Sequence, residues 1–152
     1  MKNNGLKIYI VSNYENQKLV SDIVLHMSKH TKYDIKSFVF KYNIYLEIIN
    51  VYKEHIYRKD NAKLIVIDDY GILPFMILGK MKGSVVAVLE DEYSAKLTKQ
   101  HNNSNIIILP SMALGIGLML SIIDAFLLSN FEKGRHLERI EMLDILLDKE
   151  KI

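Results

Sequence analysis

Leu64-Ile65-Val66-Ile67-Asp68-Asp69-Tyr70-Gly71 is the stretch on which the fold turns. Four branched apolar residues in a row leave no polar side for water, so a strand built from them is buried on both faces. The acids and the glycine that follow mark its carboxyl end. Working outward, comparable runs recur at Lys7 to Val11 (KIYIV), Asp34 to Phe40, Ser84 to Leu89 and Ile106 to Leu109. Between them the apolar spacing becomes helical. Leu19, Ile23, Val24 and Met27 share one face of a helix over Lys18 to Met27, and Ile44, Ile48, Val51 and Ile56 do so over Ile44 to Tyr57. Pro74 suits the first turn of a helix reaching about Lys82, and Asp91 suits the N-cap of a helix to Gln100. A helix to about Asn130 follows the fifth strand, and a last one runs from about Arg135 to Lys149.

Short strands, apolar on both faces and alternating with helices, predict a parallel sheet covered on its two sides. The expectation is an α/β, Rossmann-like three-layer sandwich with a five-stranded parallel sheet and an extra C-terminal helix. Its 152 residues form one domain spanning 1–152. Ligands of such sheets bind at the carboxyl ends of the strands, which directs attention to Ser12 to Asn16, Asp68 to Pro74, Glu90 to Glu92 and Pro110 to Met112.

Composition narrows the function classes. With no cysteine, disulfides, thiolate metal sites and a cysteine nucleophile are all excluded, and a reducing cytoplasm fits. A net charge of +2 without an arginine stripe does not favour nucleic acid as a partner. Met1 to Asn4 is polar and begins no secretory signal. From Ile106 to Leu128 the only charge is Asp124, a length that matches a membrane span. Pro110-Ser111 and Gly115-x-Gly117 break it into a strand and a separate helix, so no membrane association is expected. Neither a glycine-rich nucleotide fingerprint, nor metal-ligand spacing, nor a serine elbow is present, so no cofactor or metal is expected.

Three clusters could carry chemistry. Arg135 and Arg139 are four apart, so on a helix they share a face, with His136 between them and Gly134 before them. The helix dipole opposes cations at a helix start, and a bound phosphate would supply the reason for placing them there. The other reading is surface pairing with Glu132, Glu138 and Glu141. His101-Asn102-Asn103-Ser104, between a helix and a strand, could hold a proton shuttle with an orienting amide, or could be a plain C-capping turn. Asp68-Asp69 stands where a catalytic carboxylate often sits, though a capping role serves equally well. The loop after it is no phosphate cradle, because it has one glycine, a proline and two acids. The final helix has an amphipathic stripe, Leu137, Ile140, Leu143 and Leu147, expected to pack across a subunit interface or onto its own domain.

Taken in order, several pieces resemble one family. They are Leu64 to Gly71, then Phe75-Met76 and Lys80-Met81-Lys82-Gly83, then Asp91-Glu92-x-Ser94-Ala95 and His101-Asn102-Asn103-Ser104, and finally Phe131-x-x-Gly134-Arg135-His136-x-x-Arg139 with Met142-Leu143. This order and spacing is similar to the ribose-5-phosphate isomerase B and galactose-6-phosphate isomerase family, closest to its A-subunit branch. The resemblance implies dimers or tetramers with sites at subunit interfaces and metal-free aldose–ketose isomerisation of phosphosugars. His101 matches the family's ring-opening histidine, Asn102 its neighbouring polar contact, and Arg135 and Arg139 its phosphate-binding arginines, with His136 beside them.

Departures matter as much. The family's Ser-Asp-His-Ala-Gly turn is Ser12-Asn13-Tyr14-Glu15-Asn16 here, and the catalytic cysteine of many members is Asp68. The Gly-Thr-Gly-x-Gly cradle is Asp69-Tyr70-Gly71-Ile72-Leu73, and an arginine of many isomerase B members is Met112. The half-site for base and enediolate is therefore altered. What the resemblance implies is an A-type subunit acting on galactose 6-phosphate with a B-type partner, or as a homodimer. The alternatives are a non-catalytic sugar-phosphate-binding or regulatory homologue and, less favoured, a ribose-5-phosphate isomerase B.

Overall fold

The computed structural model describes residues 5–149. Five strands, β1 (Leu6–Asn13), β2 (Tyr33–Phe40), β3 (Ala62–Asp68), β4 (Val86–Val88) and β5 (Ile106–Pro110), form one sheet in the order β2-β1-β3-β5-β4. Every pairing in it is parallel. The helices are α1 (Gln17–Met27), α2 (Ile44–Val51), α3 (Ile72–Leu78), α4 (Glu92–Asn102), α5 (Ile116–Leu128) and α6 (Arg135–Lys149). The expected five-stranded, three-layer Rossmann-like architecture is the one found.

Alternate residues of the strands feed two separate cores. Ile8, Ile10, Ile65, Ile67, Ile107 and Leu109 face α1, α4 and α5. Tyr9, Val11, Leu64, Val66, Ile106 and Ile108 face α2 and α3. This two-sided burial is why LIVI carries no polar residue: Leu64 through Ile67 are wholly inaccessible. On α1 the buried residues are Val20, Ile23 and Met27, whereas Leu19 and Val24 flank them half-covered.

Several element ends differ from expectation. α3 stops at Leu78, because Gly79, Lys80 and Met81 turn back on Phe75, Ile77 and Leu78 through successive amide bonds. β4 keeps only three residues, since the amide of Val85 is taken by the Asn105 side chain at 2.9 Å. The second helix widens after Val51 into a π turn over Tyr52–Ile56, which buries both of those side chains and sends the Tyr52 hydroxyl to the carbonyl of Lys82. The apolar stretch from Ile106 splits into β5 and the 13-residue α5. Among the described residues no helix is long and apolar enough to cross a membrane.

Gly71 links the sheet to its carboxyl-edge loops. Its φ is +75°, and a Cβ there would lie 3.1 Å from Ile108 Cγ2 and 3.3 Å from Val88 Cγ1. Gly71→Ala combines left-handed strain with overpacking and is expected to lower unfolding free energy by about 1–3 kcal/mol, read from urea denaturation. A stability within experimental error of the parent would contradict this tight approach.

Candidate functional site

Parallel strands fix where each loop can go. A helix joining two parallel strands starts at the carboxyl edge of the sheet and ends at the amino edge. The loops after β1, β3 and β5 therefore gather at one edge, and the ends of α4 and α5 lie at the other. The candidate residues divide between these two edges.

At the carboxyl edge, Asp68 closes β3. One of its carboxylate oxygens accepts the amides of Tyr70, at 3.2 Å, and Gly71, at 2.8 Å. Two of the N–H groups from which a cradle could be built are thus filled by the chain's own side chain. Asp69 lies beside Asn16 and Ser111, at 3.4 and 3.5 Å. The carbonyls of Asp68 and Asp69 accept the amides of Ser111 and Met112, latching the β5 loop to the β3 loop. Ser12 is buried and donates to the Ile67 carbonyl, and Asn13 accepts from both the amide and the side chain of Asn16, closing a 3-10 turn over Tyr14–Asn16. The altered first loop is thus occupied with its own hydrogen bonds. Tyr45, which sequence reasoning passed over, stands close enough to matter. Burial, then the charges of Asp68 and Asp69, raise its phenol above the ordinary value.

At the amino edge, α4 ends on His101 and Asn102, while Asn103, at φ 54°, takes the left-handed C-cap. The capping role falls to Asn103 and to the buried Ser104 with Thr98, whose hydroxyl also accepts from the Asn102 side chain at 3.5 Å, so His101 is spared it. The amide of Glu132 donates to the carbonyl of Gln100, drawing the start of α6 against the end of α4. This contact stacks His101 on His136, ring centres 4.2 Å apart and planes within 5°. The Glu132 carboxylate lies 3.9 Å from His101 Nε2 and 3.7 Å from His136 Nε2. His101 is about one-third exposed, whereas His136 is buried. His136, grouped by sequence with the phosphate ligands, stacks on His101 and also feels the charges of Arg135 and Arg139. The sequence offers Glu132 as a partner for the cations of the turn, but no sequence pattern links it to His101.

Lys133 and Gly134 both adopt positive φ and turn the chain into α6, leaving Arg135 and Arg139 exposed. Among the described residues neither arginine forms an ion pair; the pairs present all involve histidine. The surface-pairing reading of this turn holds for His136 with Glu132 but, among the described residues, for neither arginine. Burial, followed by the charges of His101 and Arg135, lowers the His136 pKa, and Glu132 opposes them. The donor atoms of His101, Glu132 and His136 lie within 4.8 Å of one another, a set of the types that bind zinc. Two rings stacked in parallel cannot both hold one ion in their planes, so the arrangement suits a supported histidine better than a metal centre.

The chain belongs to the Ribose/Galactose Isomerase family, whose model matches residues 8–143. It is 38% identical over 87 residues to the galactose-6-phosphate isomerase subunit LacA of Streptococcus agalactiae, covering 57% of this chain and 62% of that one. With the LacA subunit of Clostridium acetobutylicum it shares 36% over 90 residues, 59% of this chain and 63% of the relative. The match thus spans less than two-thirds of the length of these curated relatives. A ribose-5-phosphate isomerase B of Clostridium thermocellum superposes with a TM-score of 0.78 at 26% identity, covering 95% of this chain and 99% of the other. That of Mycoplasma genitalium, solved with ribulose-5-phosphate, gives 0.77 at 29%, covering 95% and 97%.

Removing the Glu132 charge tests the amino-edge cluster. In Glu132→Gln the His136 pKa is expected to fall further, followed by imidazole NMR titration. A folded pKa below the ordinary 6.5 means that the unfolded chain binds the proton better. The stability linked to His136 is therefore complete above pH 6.5 and lost as the pH drops below it. The variant should carry this loss to lower pH. An unchanged His136 titration would show that Glu132 does not act on the ring.

Proposed function

We propose that this chain is an A-type subunit of a galactose-6-phosphate isomerase, interconverting galactose 6-phosphate and tagatose 6-phosphate with a B-type partner. The observation that carries the reading is the pair of exposed arginines, Arg135 and Arg139, without an ion pair among the described residues and near a solvent-reachable His101. They lie at the edge of the sheet opposite the chain's own acid-filled loop. One chain cannot bring its two edges together, so a complete site needs a second subunit.

In this scheme Arg135 and Arg139 grip the phosphate with planar, permanently charged forks. His101, supported by His136 and Glu132, moves the proton that opens the sugar ring, and Asn102 orients the ring oxygen. The partner's base then takes the proton beside the carbonyl, and its cradle holds the enediolate until the proton returns to the neighbouring carbon. Asp68 is the less favoured base within this chain, because its carboxylate is committed to the amides of Tyr70 and Gly71. A phosphosugar is the substrate, and no nucleic acid or membrane takes part. The exposed apolar side of α6, with Leu143, Leu146 and Leu147 each more than half accessible, fits burial against a partner. A homodimer would cover it equally well, and location in the cytoplasm suits a phosphorylated substrate.

The same self-filled loop also favours a second reading, a non-catalytic sugar-phosphate-binding homologue. Co-purification with a B-type subunit separates the two. Alone, the chain should show no isomerisation of galactose 6-phosphate or ribose 5-phosphate, and mixing with a B-type subunit should restore turnover on the galactose substrate. In that complex Arg135→Ala should lower kcat/KM about ten- to hundredfold, mainly through KM, as loss of a charged hydrogen bond of about 1.5–3 kcal/mol requires. Robust turnover by the lone chain would overturn the shared-site reading; failure of any B-type subunit to bind would leave the binding protein.

A further inference from the structure

A second basic site lies apart from the arginine turn. Lys63, at the start of β3, is only 7% exposed, and its ammonium donates to one acceptor, the Asp60 carbonyl at 3.2 Å. An ammonium has three donors, so two remain for something else. Beside it Lys99 of α4 bonds to the Asn103 side chain at 2.7 Å. Both line a cavity of about 200 Å³ at the amino edge of the sheet, closed by Phe126 and by Ser129 and Asn130 after α5. Asp60 is the acid at its rim, yet neither lysine forms an ion pair among the described residues. Two converging ammonium groups, one of them almost wholly buried, are unfavourable without a counter-charge. None of His101, Asn102, Arg135 or Arg139 lines this cavity.

We infer that the Lys63–Lys99 cavity binds a small phosphate-like oxyanion, separately from the arginine turn. Its size is below the roughly 300–1,000 Å³ of a drug-sized ligand site, which limits the guest to a small ion or a short phosphomonoester. The anion would accept the free donors of Lys63 and the Lys99 ammonium, with the Asn130 amide within the same wall. Burial and then the charge of Lys99 push the Lys63 pKa down to about 8, against an opposing pull from Asp60. Burial lowers that of Lys99 as well. Lys63 therefore loses its charge in mildly alkaline solution, whereas arginines do not titrate there.

The test uses the full chain and calorimetric titration with inorganic phosphate and, separately, glycerol 3-phosphate. The Arg135→Gln/Arg139→Gln double variant should still bind one equivalent of at least one of them. That binding should weaken at least tenfold in Lys63→Met, stay within about threefold in Lys63→Arg, and fall about tenfold between pH 7.5 and 9. If Lys63→Met does not fold, ¹³Cε titration of Lys63 in the double variant decides: saturating ligand should raise its pKa well above 8. The inference is overturned if the double variant binds neither ligand, if folded Lys63→Met binds as the double variant does, or if the Lys63 titration ignores the ligand. Failure of the arginine turn itself would show differently, as a wild-type chain with one equivalent bound and no effect of the arginine substitutions.

Discussion

A parallel sheet imposes a direction on everything attached to it. Each strand of this protein runs the same way, so each crossover helix must carry the chain back before the next strand begins. Loops after strands share one edge; helix ends share the other. Asp68 and Asp69 follow from the first half of that rule and His101 from the second, however close their places in the family pattern. The separation is a consequence of backbone hydrogen bonding, and no side-chain rearrangement within one chain removes it.

The two edges have settled their polar groups in opposite ways. At the carboxyl edge, Asp68, Asp69, Asn13 and Asn16 satisfy one another and the nearby amides, and the loop is closed to an anion. At the amino edge the acids are fewer and the cations are left open. Glu132 is shared by two histidines, Arg135 and Arg139 lack carboxylate partners among the described residues, and Lys63 and Lys99 face a cavity. A helix start that holds arginine against its own dipole fits that pattern, since an anionic ligand reverses the sign of the cost. The net charge of +2 conceals this polarity, because it averages two edges of different character.

α6 adds the third element. It touches its own domain mainly where His136 meets His101, and beyond that turn Met142, Leu143, Ile145, Leu146 and Leu147 remain exposed. Tyr70, Ile72, Phe75 and Met76 are also exposed, at the opposite edge. Apolar area of this extent on both edges is open to contact with another surface. The arginines lie at the root of α6, so whatever covers that helix also sets their surroundings.

The fold was legible because its cause is local and repetitive. Runs such as LIVI and KIYIV, each bounded by polar turns, leave few alternatives to a doubly covered parallel sheet, and the bounds of α6 agree with those expected. Apart from the early end of α3, where expectation missed the deciding bond was distant in sequence: Asn105 capping the amide of Val85, or Tyr52 reaching the carbonyl of Lys82. The candidate residues His101, Arg135 and Arg139 were legible as types in order, but not as an arrangement. Nothing in the spacing from His101 to Glu132 foretells that one carboxylate would serve two stacked rings, because that contact depends on the amide of Glu132 meeting the carbonyl of Gln100. By itself the sequence determined the layers, the strand count and the chemical inventory, since burial periodicity acts over a few residues. The tertiary structure alone decided which of those residues meet, which are already engaged and which stand open, because hydrogen bonds and charge pairing depend on distances set by the whole packed sheet.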